Sequence, residues 1–396
     1  MSEKRRDNKG RILNTGESQR KDGRYAYKYV DTFGKPQFVY SWKLVATDKT
    51  PTGKRKDISL RDKVKEVKKD LDDGIDTIGK KMTVCQLYAK QISHRGNVKR
   101  GTKTGRKYLM DILQKDKLGA KSIDSVKLSD AKEWAIRMNE LGYAYKTINN
   151  YKRSLKASFY TAIQDDCVRK NPFDFALNTV LADNSKPKVA LTKEQEEKLL
   201  AFVLADTVYQ KYCDEILVLL RTGLRISEFC GLTPADLDFE NRLINVDHQL
   251  LKDSEIGYYI ETPKTQSGIR QIPMCEEAYQ ALQRIVDRRK QAKVFQVDGY
   301  SNFLFLTNKG NPKVGVNYTT MLIGLVKKYN KNNEDVLPNI TPHVFRHTFC
   351  TNFAIAGMNP KALQYIMGHS NVSMTLDYYS HATATSAKAE MDRLVA

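Results

Sequence analysis

Residues 341–349 read TPHVFRHTF. Thr341 is a residue type that caps helix N-termini, and Pro342 suits the first helical turn, where a missing N–H is no loss. The stretch therefore predicts a helix start. His343 and Arg346 fall three apart on one face of that first turn. Backbone N–H groups at a helix start favour anions. A histidine, an arginine and a helix N-terminus aimed at one spot suggest a bound phosphate. Taken alone, the segment is explained equally well by an ordinary helix start with exposed polar side chains.

The neighbouring segments decide between these readings. NPKALQYIMGHSN, residues 359–371, predicts a helix with Leu363, Ile366 and Met367 on its apolar face and Gly368 as its stop. His369 follows on what reads as an exposed corner, where a lone histidine is usually unremarkable. NVSMTLDYYSH, residues 371–381, predicts a further short helix carrying Tyr378 and Tyr379. Upstream, the apolar run 216–220 reads as a buried helix broken by Gly223, after which Arg225 opens a new helix with Glu228 three residues on. As an exposed pair these two would contribute only a few tenths of a kcal/mol. In ETPKTQSGIRQIPM, residues 261–274, the alternation and the Ser267-Gly268 pair predict a β-hairpin with Lys264 near its tip. A hairpin lysine is ordinarily a solvated charge.

The strings TGLRISE, TPKTQSGIR, HVFRHTF, MGHSNVSMT and YYSH, in this order over residues 191–396, resemble the tyrosine recombinase (phage-integrase) family. All six catalytic positions of that family are occupied by the expected residue type: Arg225, Lys264, His343, Arg346, His369 and Tyr379. The whole-chain layout is similar to the integrases of conjugative transposons. The resemblance implies a small β-sheet arm-type DNA-binding domain (1–75), an all-α core-binding domain (82–175), a linker (176–190) and a mainly α (α+β) catalytic domain (191–396). One choice is needed. Many members place the nucleophile nine residues after the histidine, at Tyr378; others place it one residue later, before Ser/Thr and His. Tyr379-Ser380-His381 fits the second ending. Adjacent helical residues point about 100° apart, so one tyrosine faces the phosphate, and Tyr378 is read as a packing residue.

The chemistry implied by the resemblance is strand cleavage and rejoining through a 3′-phosphotyrosine. Tyr is a weak nucleophile near neutral pH, since its reference pKa is near 10. Arg225 and Arg346 would hold the non-bridging oxygens and His369 would donate a further hydrogen bond. Lys264 would be the general acid and His343 the general base. Glu228 would orient Arg225. No cofactor or metal is required, and no carboxylate cluster suggests one.

Charge distribution points the same way. The 396-residue chain has a net charge of +20. Residues 1–80 carry 21 Lys/Arg against 13 Asp/Glu, residues 81–186 carry 21 against 10, and the remainder is nearly neutral at 24 against 23. Two basic modules ahead of a neutral one suggest DNA-binding domains. Three strands are predicted at about 25–31, 36–44 and 54–59, followed by a helix over 61–73. Arg24, Lys28, Lys35, Lys43, Lys54 and Arg55 are candidate DNA contacts, while Tyr25, Tyr27, Tyr29, Tyr40 and Trp42 could form a mini-core. Residues 1–20 read as mobile and 74–81 as a first linker. Within the helical block, 147–163 has an apolar face (Ile148, Tyr151, Leu155, Phe159) and a basic one with Lys146, Lys152, Arg153 and Lys156. Residues 248–259 read either as a hairpin at DNA or as a surface loop.

The composition, 41% hydrophobic, is globular. Six cysteines without CxxC spacing read as reduced thiols, mostly buried, and argue against zinc. The N-terminus lacks a signal-peptide apolar run, so the expected setting is cytoplasmic and nucleoid-associated. Expected partners are double-stranded DNA and further copies of the chain, a dimer to a tetramer on DNA. The resemblance adds an accessory excision factor and host DNA-bending proteins. In the tail, Ala387, Met391, Leu394 and Val395 have near-helical spacing and need a dock, either on their own domain or, as the resemblance favours, on a neighbouring protomer. Two competing readings are a type IB topoisomerase, against which two basic modules argue, and a non-catalytic DNA-binding regulator, which would need neither Tyr379 nor both arginines.

Overall fold

Aromatic and polar residues alternate along 25–41, and a period of two sends them to opposite faces of a sheet. Strands β1 (Glu17–Gln19), β2 (Tyr25–Val30) and β3 (Pro36–Ser41) pair antiparallel in that order, with Tyr27 opposite Val39 and Lys28 opposite Phe38. Tyr25, Tyr27 and Val39 pack with Leu13 and Leu44 against Leu60 and Val64 of helix α1 (Leu60–Asp72). Lys28, Phe38 and Tyr40 are exposed on the other face. In this computed structural model, residues 4–96, 98–185, 189–263, 265–288, 295–379 and 391 are described. The chain divides into two units, 1–186 and 187–396.

Three expectations for the first unit change. Residues 54–59 form no strand; the third strand is 17–19, where buried Glu17 accepts from Asn14 N–H and Arg61. Residues 4–20 are packed rather than loose: buried Asp7 accepts from the backbone of Lys9 and Arg11, the Arg11 side chain and the Tyr25 hydroxyl. Pairing of charges lets a polar stretch fold onto the sheet. Segment 74–81, read as a linker, is fastened on both sides. Ile75 is buried, the Tyr29 hydroxyl donates to Thr77 Oγ1 at 3.1 Å, and Asp76 N–H donates to the Asp166 carbonyl at 2.8 Å.

Helices α2 (Val84–Ser93), α3 (Arg100–Lys115), α4 (Leu128–Glu140) and α5 (Tyr145–Gln164) complete the first unit. Thr83 and Gln86 form a capping box at the start of α2. The helices enclose Trp134, Phe159 and Phe173, with Phe173 meeting Trp134 edge-on at 5.9 Å and Phe159 at 5.5 Å. One candidate contact on α5 is corrected. Lys152 falls four residues after Ile148, on the apolar stripe itself, and is only 5% exposed. Its ammonium lies 4.5 Å from the Phe175 ring centroid, and burial, aided by Lys156, pushes its pKa down. Lys156 is paired with Asp174 at 2.5 Å, whereas Lys146 and Arg153 are exposed.

The second unit is mixed. Helices α6 (Lys193–Ala205), α7 (Cys213–Thr222) and α8 (Ile226–Gly231) precede strands β4 (Leu237–Asp238), β5 (Leu243–Val246), β6 (Gln249–Asp253), β7 (Gly257–Glu261) and β8 (Arg270–Pro273). Helices α9 (Glu276–Asp287), α10 (Gly315–Asn332), α11 (Pro342–Ile355), α12 (Pro360–Met367) and α13 (Ser373–Leu376) follow. Its core is anchored by Phe229, stacked on Phe305 at 3.9 Å and edge-on to Tyr318 at 5.4 Å. The single sheet expected over 243–273 is two: β4-β5-β8, and the separate hairpin β6-β7. Hence 261–274 is not a hairpin. Strand β8 pairs with β5, and a short 3-10 turn, Gln266–Gly268, leads into it. Among the described residues, no helix is long and apolar enough to cross a membrane.

Because Lys152 is buried with no carboxylate partner among the described residues, Lys152→Met should hold or raise the thermal midpoint. A drop of several degrees in calorimetry would show that the cation over Phe175 is stabilising.

Candidate active site

Two left-handed glycines frame the site. Gly223 (φ 63°) ends α7 and Gly368 (φ 60°) ends α12. A Cβ on Gly223 would lie 2.6 Å from Phe349, and one on Gly368 would lie 3.0 Å from the Ser267 carbonyl oxygen. These close approaches aim the carbonyls at the helix ends toward two arginines. Arg346, on α11, is 7% exposed and donates to the Gly223 carbonyl at 2.5 Å and to the Met367 carbonyl. Arg225, at the start of α8, donates to the Gly368 carbonyl at 2.8 Å and to Glu228 at 2.7 Å. Glu228 in return accepts from the Arg225 backbone N–H at 2.9 Å.

Glu228 is not the exposed partner of a surface pair. It is 3% exposed and also accepts two bonds from Arg270, at 2.9 and 3.2 Å. One carboxylate therefore serves two guanidiniums, those of Arg225 and Arg270. The two arginines hold the Glu228 carboxyl below its usual range even though burial opposes this. Burial, with the charges of Arg225 and Arg270, pushes Arg346 down to about 9. This is a site short of negative charge, and an anion would relieve it. Arg225 remains 32% exposed, so that anion has access.

His369 is a correction: it is buried, 6% exposed, and not on an open corner. The αL turn at Gly368 folds the chain back, placing His369 Nδ1 3.0 Å from Thr375 Oγ1. Burial, then Arg346, Arg225 and Arg270, depress its pKa to about 4, so the ring is neutral near pH 7. If the Thr375 hydroxyl donates to Nδ1, Nε2 carries the proton and remains a donor.

The other three expected residues are placed differently. His343 is exposed on the first turn of α11, and Thr341 is the N-cap by position, without a side-chain capping bond. Lys264 lies outside the described residues, as does the expected terminal helix apart from Met391. The tyrosines do not ride on a helix. Helix α13 stops at Leu376, and Tyr378 and Tyr379 lie in the turn that follows. Tyr378 packs on His347 with ring centroids 4.8 Å apart. Tyr379 also packs on the Phe349 and Met367 cluster, and its hydroxyl donates to the Met358 carbonyl at 2.5 Å. Burial raises both pKa values, and only Tyr378 is further influenced by Arg346. The structure thus gathers Arg225, Arg346, His369 and Glu228, and engages Tyr379 elsewhere. Sequence reasoning missed Arg270 and Thr375. The inward alternation of Arg270 with Ile272 on β8 could have revealed the first.

A second surface bears on nucleic acid. On the exposed face of the β1–β3 sheet, Arg24 lies 5.7 Å and Lys54 5.2 Å from the Trp42 ring, and Arg24 is tied to Asp22. Lys28, Lys35 and Arg55 are exposed and Lys43 is half-buried. Tyr40 and Trp42 thus belong with these cations rather than with the mini-core. One group able to hold a metal exists among the described residues, contrary to expectation: Asp236, Asp247 and His248, with ligand atoms within 4.8 Å. Those atoms already bond locally, Asp236 to Thr233 and His248 to Asp247 and the Gly231 carbonyl. All six cysteines are free, but only Cys167, Cys230 and Cys350 are buried.

The sequence profile of the phage integrase family matches residues 190–386, and that of the DNA-binding domain of Tn916 integrase matches residues 1–71. The chain belongs to the phage integrase, or tyrosine recombinase, family. It is 72% identical over 394 residues to the transposase of transposon Tn916 from Enterococcus faecalis, covering 100% of this chain and 97% of that protein. Identity to the Tn1545 transposase of Streptococcus pneumoniae is 73% over the same length and coverage. A solved structure of the Tn1549 transposon integrase with circular intermediate DNA superposes with TM-score 0.76 at 66% identity, covering 79% of this chain and 99% of that one.

Glu228→Gln would leave Arg270 buried beside a neutral amide. It should destabilise the chain by on the order of 3 kcal/mol, read as a lower urea midpoint at unchanged m-value. A loss below about 0.5 kcal/mol, the range of ordinary surface substitutions, would show that the buried pair is not structural.

Proposed function

We propose that this chain is the integrase of a transposon and acts through a 3′-phosphotyrosine on Tyr379. The chain is a tyrosine recombinase, an enzyme that breaks and rejoins DNA strands to integrate and excise a mobile element. The observation carrying the assignment of its site is the buried charge imbalance: Arg225 and Arg270 share Glu228, Arg346 is held nearby by backbone carbonyls, and the edge of Arg225 is open to solvent. Among the described residues Arg225 and Arg346 each use two side-chain N–H donors on fixed acceptors. A guanidinium has five, so both retain donors for the non-bridging oxygens of a phosphodiester.

In the proposed step the Tyr379 oxygen bonds to phosphorus and the bond to the 5′ oxygen breaks. His343 takes the tyrosine proton and Lys264 returns one to the departing oxygen. Arg225, Arg346 and neutral His369 stabilise the charge that builds on the phosphoryl oxygens. Rejoining is the reverse attack by another strand's 5′ hydroxyl. Solved Tn1549 integrases bound to DNA include one with arginine replaced by lysine and one with tyrosine replaced by phenylalanine, at positions numbered 225 and 379. The residues bearing those numbers here are Arg225 and Tyr379, which supports the choice. For Tyr379 to act, its hydroxyl must leave the Met358 carbonyl.

The proposed domains are 1–75 for arm-type DNA, 82–175 for core DNA, a linker at 176–190 and 191–396 for catalysis. The two basic modules would bind separate sites on double-stranded DNA, through Arg24, Lys28, Lys35, Lys54 and Arg55 on the sheet and its adjoining loops and Lys146 and Arg153 on α5. A chain that works on DNA in this way would act in the cytoplasm, at the nucleoid. Assembly would be a dimer to a tetramer on DNA, assisted by an excision factor and DNA-bending proteins.

The test is covalent trapping on a nicked duplex carrying an element end, with chelator, on a denaturing gel. The wild-type chain should form an adduct. Arg225→Lys should bind DNA with similar affinity but form adduct about 100-fold more slowly, the scale of losing one oriented oxyanion donor. Adduct formation at the wild-type rate by that variant, or cleavage with no attached protein, would overturn the assignment.

A further inference from the structure

Arg270 belongs to none of the roles assigned above, yet its side chain is completely buried beside them. Its Nε donates to the Ile366 carbonyl at 2.6 Å, and its Nη1 to the Gly268 carbonyl at 2.9 Å. Nη1 and Nη2 reach the two oxygens of Glu228 at 3.2 and 2.9 Å. These partners sit on three separate segments. Glu228 is on α8 and holds Arg225. Gly268 ends the 3-10 turn, Gln266–Gly268, that leads into β8. Ile366 is in the last turn of α12, just ahead of the Met367 and Gly368 carbonyls that receive Arg346 and Arg225. The fit is close: a Cβ on Gly368 would lie 3.1 Å from Arg270 Nη1.

We propose that Arg270 is a positioning residue for the phosphodiester site. It sets the orientation of Arg225 from two sides, through Glu228 and through the end of α12 whose Gly368 carbonyl receives Arg225, without touching DNA. A planar fork is needed because acceptors on three segments must be met at once. A lysine carries the same charge but presents its donors from one point, so it can meet Glu228 or the carbonyls and not the whole set. This inference rests on the reading of Arg225 as a phosphate ligand.

The test compares wild type, Arg225→Lys, Arg270→Lys and the double variant. DNA affinity is measured by titration, and the rate of adduct formation is measured on already bound nicked duplex. Arg270→Lys should bind DNA like wild type and form adduct about 10–100-fold more slowly, the usual scale for a residue that orients a ligand. The double variant should be no slower than the slower single variant, because both act through one guanidinium. Independent, multiplying losses would overturn the proposal, as would wild-type rates in Arg270→Lys. If Arg270→Lys does not fold, Glu228→Asp cuts the same link, and its loss should likewise vanish in the Arg225→Lys background; an undiminished loss there counts against the proposal. A wild-type chain that forms no adduct would instead remove the reading of the site itself.

Discussion

Everything at the site depends on one buried carboxylate shared by two guanidiniums. Glu228 lies between Arg225 and Arg270, and removing either charge from such a setting leaves its partner desolvated. The arrangement is costly to build and is not what stability alone would select, since apolar residues of the same volume would often do as well. What it provides is orientation. Glu228 binds both the backbone and the side chain of Arg225, so the guanidinium cannot swing into solvent as an ordinary surface arginine would.

Arg346 is fixed by a different device. Among the described residues no carboxylate pairs with it; its anchors are carbonyl oxygens at the ends of α7 and α12. Those oxygens are left over by helix geometry, because the last carbonyls of a helix have no partner within it. The αL glycines at 223 and 368 turn the chain away at the right place, and the carbonyls also carry the negative end of each helix dipole. The cluster is thereby held together while staying net positive. In the proposed reading a DNA phosphate supplies the missing charge, so that ligand binding and charge compensation are the same event. Neutral His369 fits this balance, since a fourth positive charge there would oppose the three already present.

Much of this was legible in the sequence. Gly223, Arg225 and Glu228 lie in one short string, and the spacing gave the helix break, the helix start and the ion pair together. The α12 stop at Gly368 followed from a glycine after an apolar face. What escaped was long-range. Arg270 reads as a strand arginine in a segment that looked like a hairpin, and only the pairing of β8 with β5 turns it inward. His369 reads as exposed because local sequence cannot show that Thr375 and the arginines close over it. Lys152 is the opposite failure. Its charge suggested a solvent face although its place in the repeat of Ile148 and Leu155 assigned it to the stripe that is buried. In the first unit, residues 1–20 read as mobile by composition because net charge hides the pairing of individual charges, as in Asp7 with Arg11.

The central claim is that the anion drawn to this cluster becomes bonded to a tyrosine of the turn after α13. The most direct measurement is to isolate the covalent protein–DNA adduct, digest it with protease and nuclease, and locate the nucleotide on the remaining peptide by mass spectrometry. The account predicts a single modified residue, Tyr379, joined to a 3′ phosphate. A nucleotide on Tyr378, the tyrosine already influenced by Arg346, or on any residue outside this turn, would contradict it.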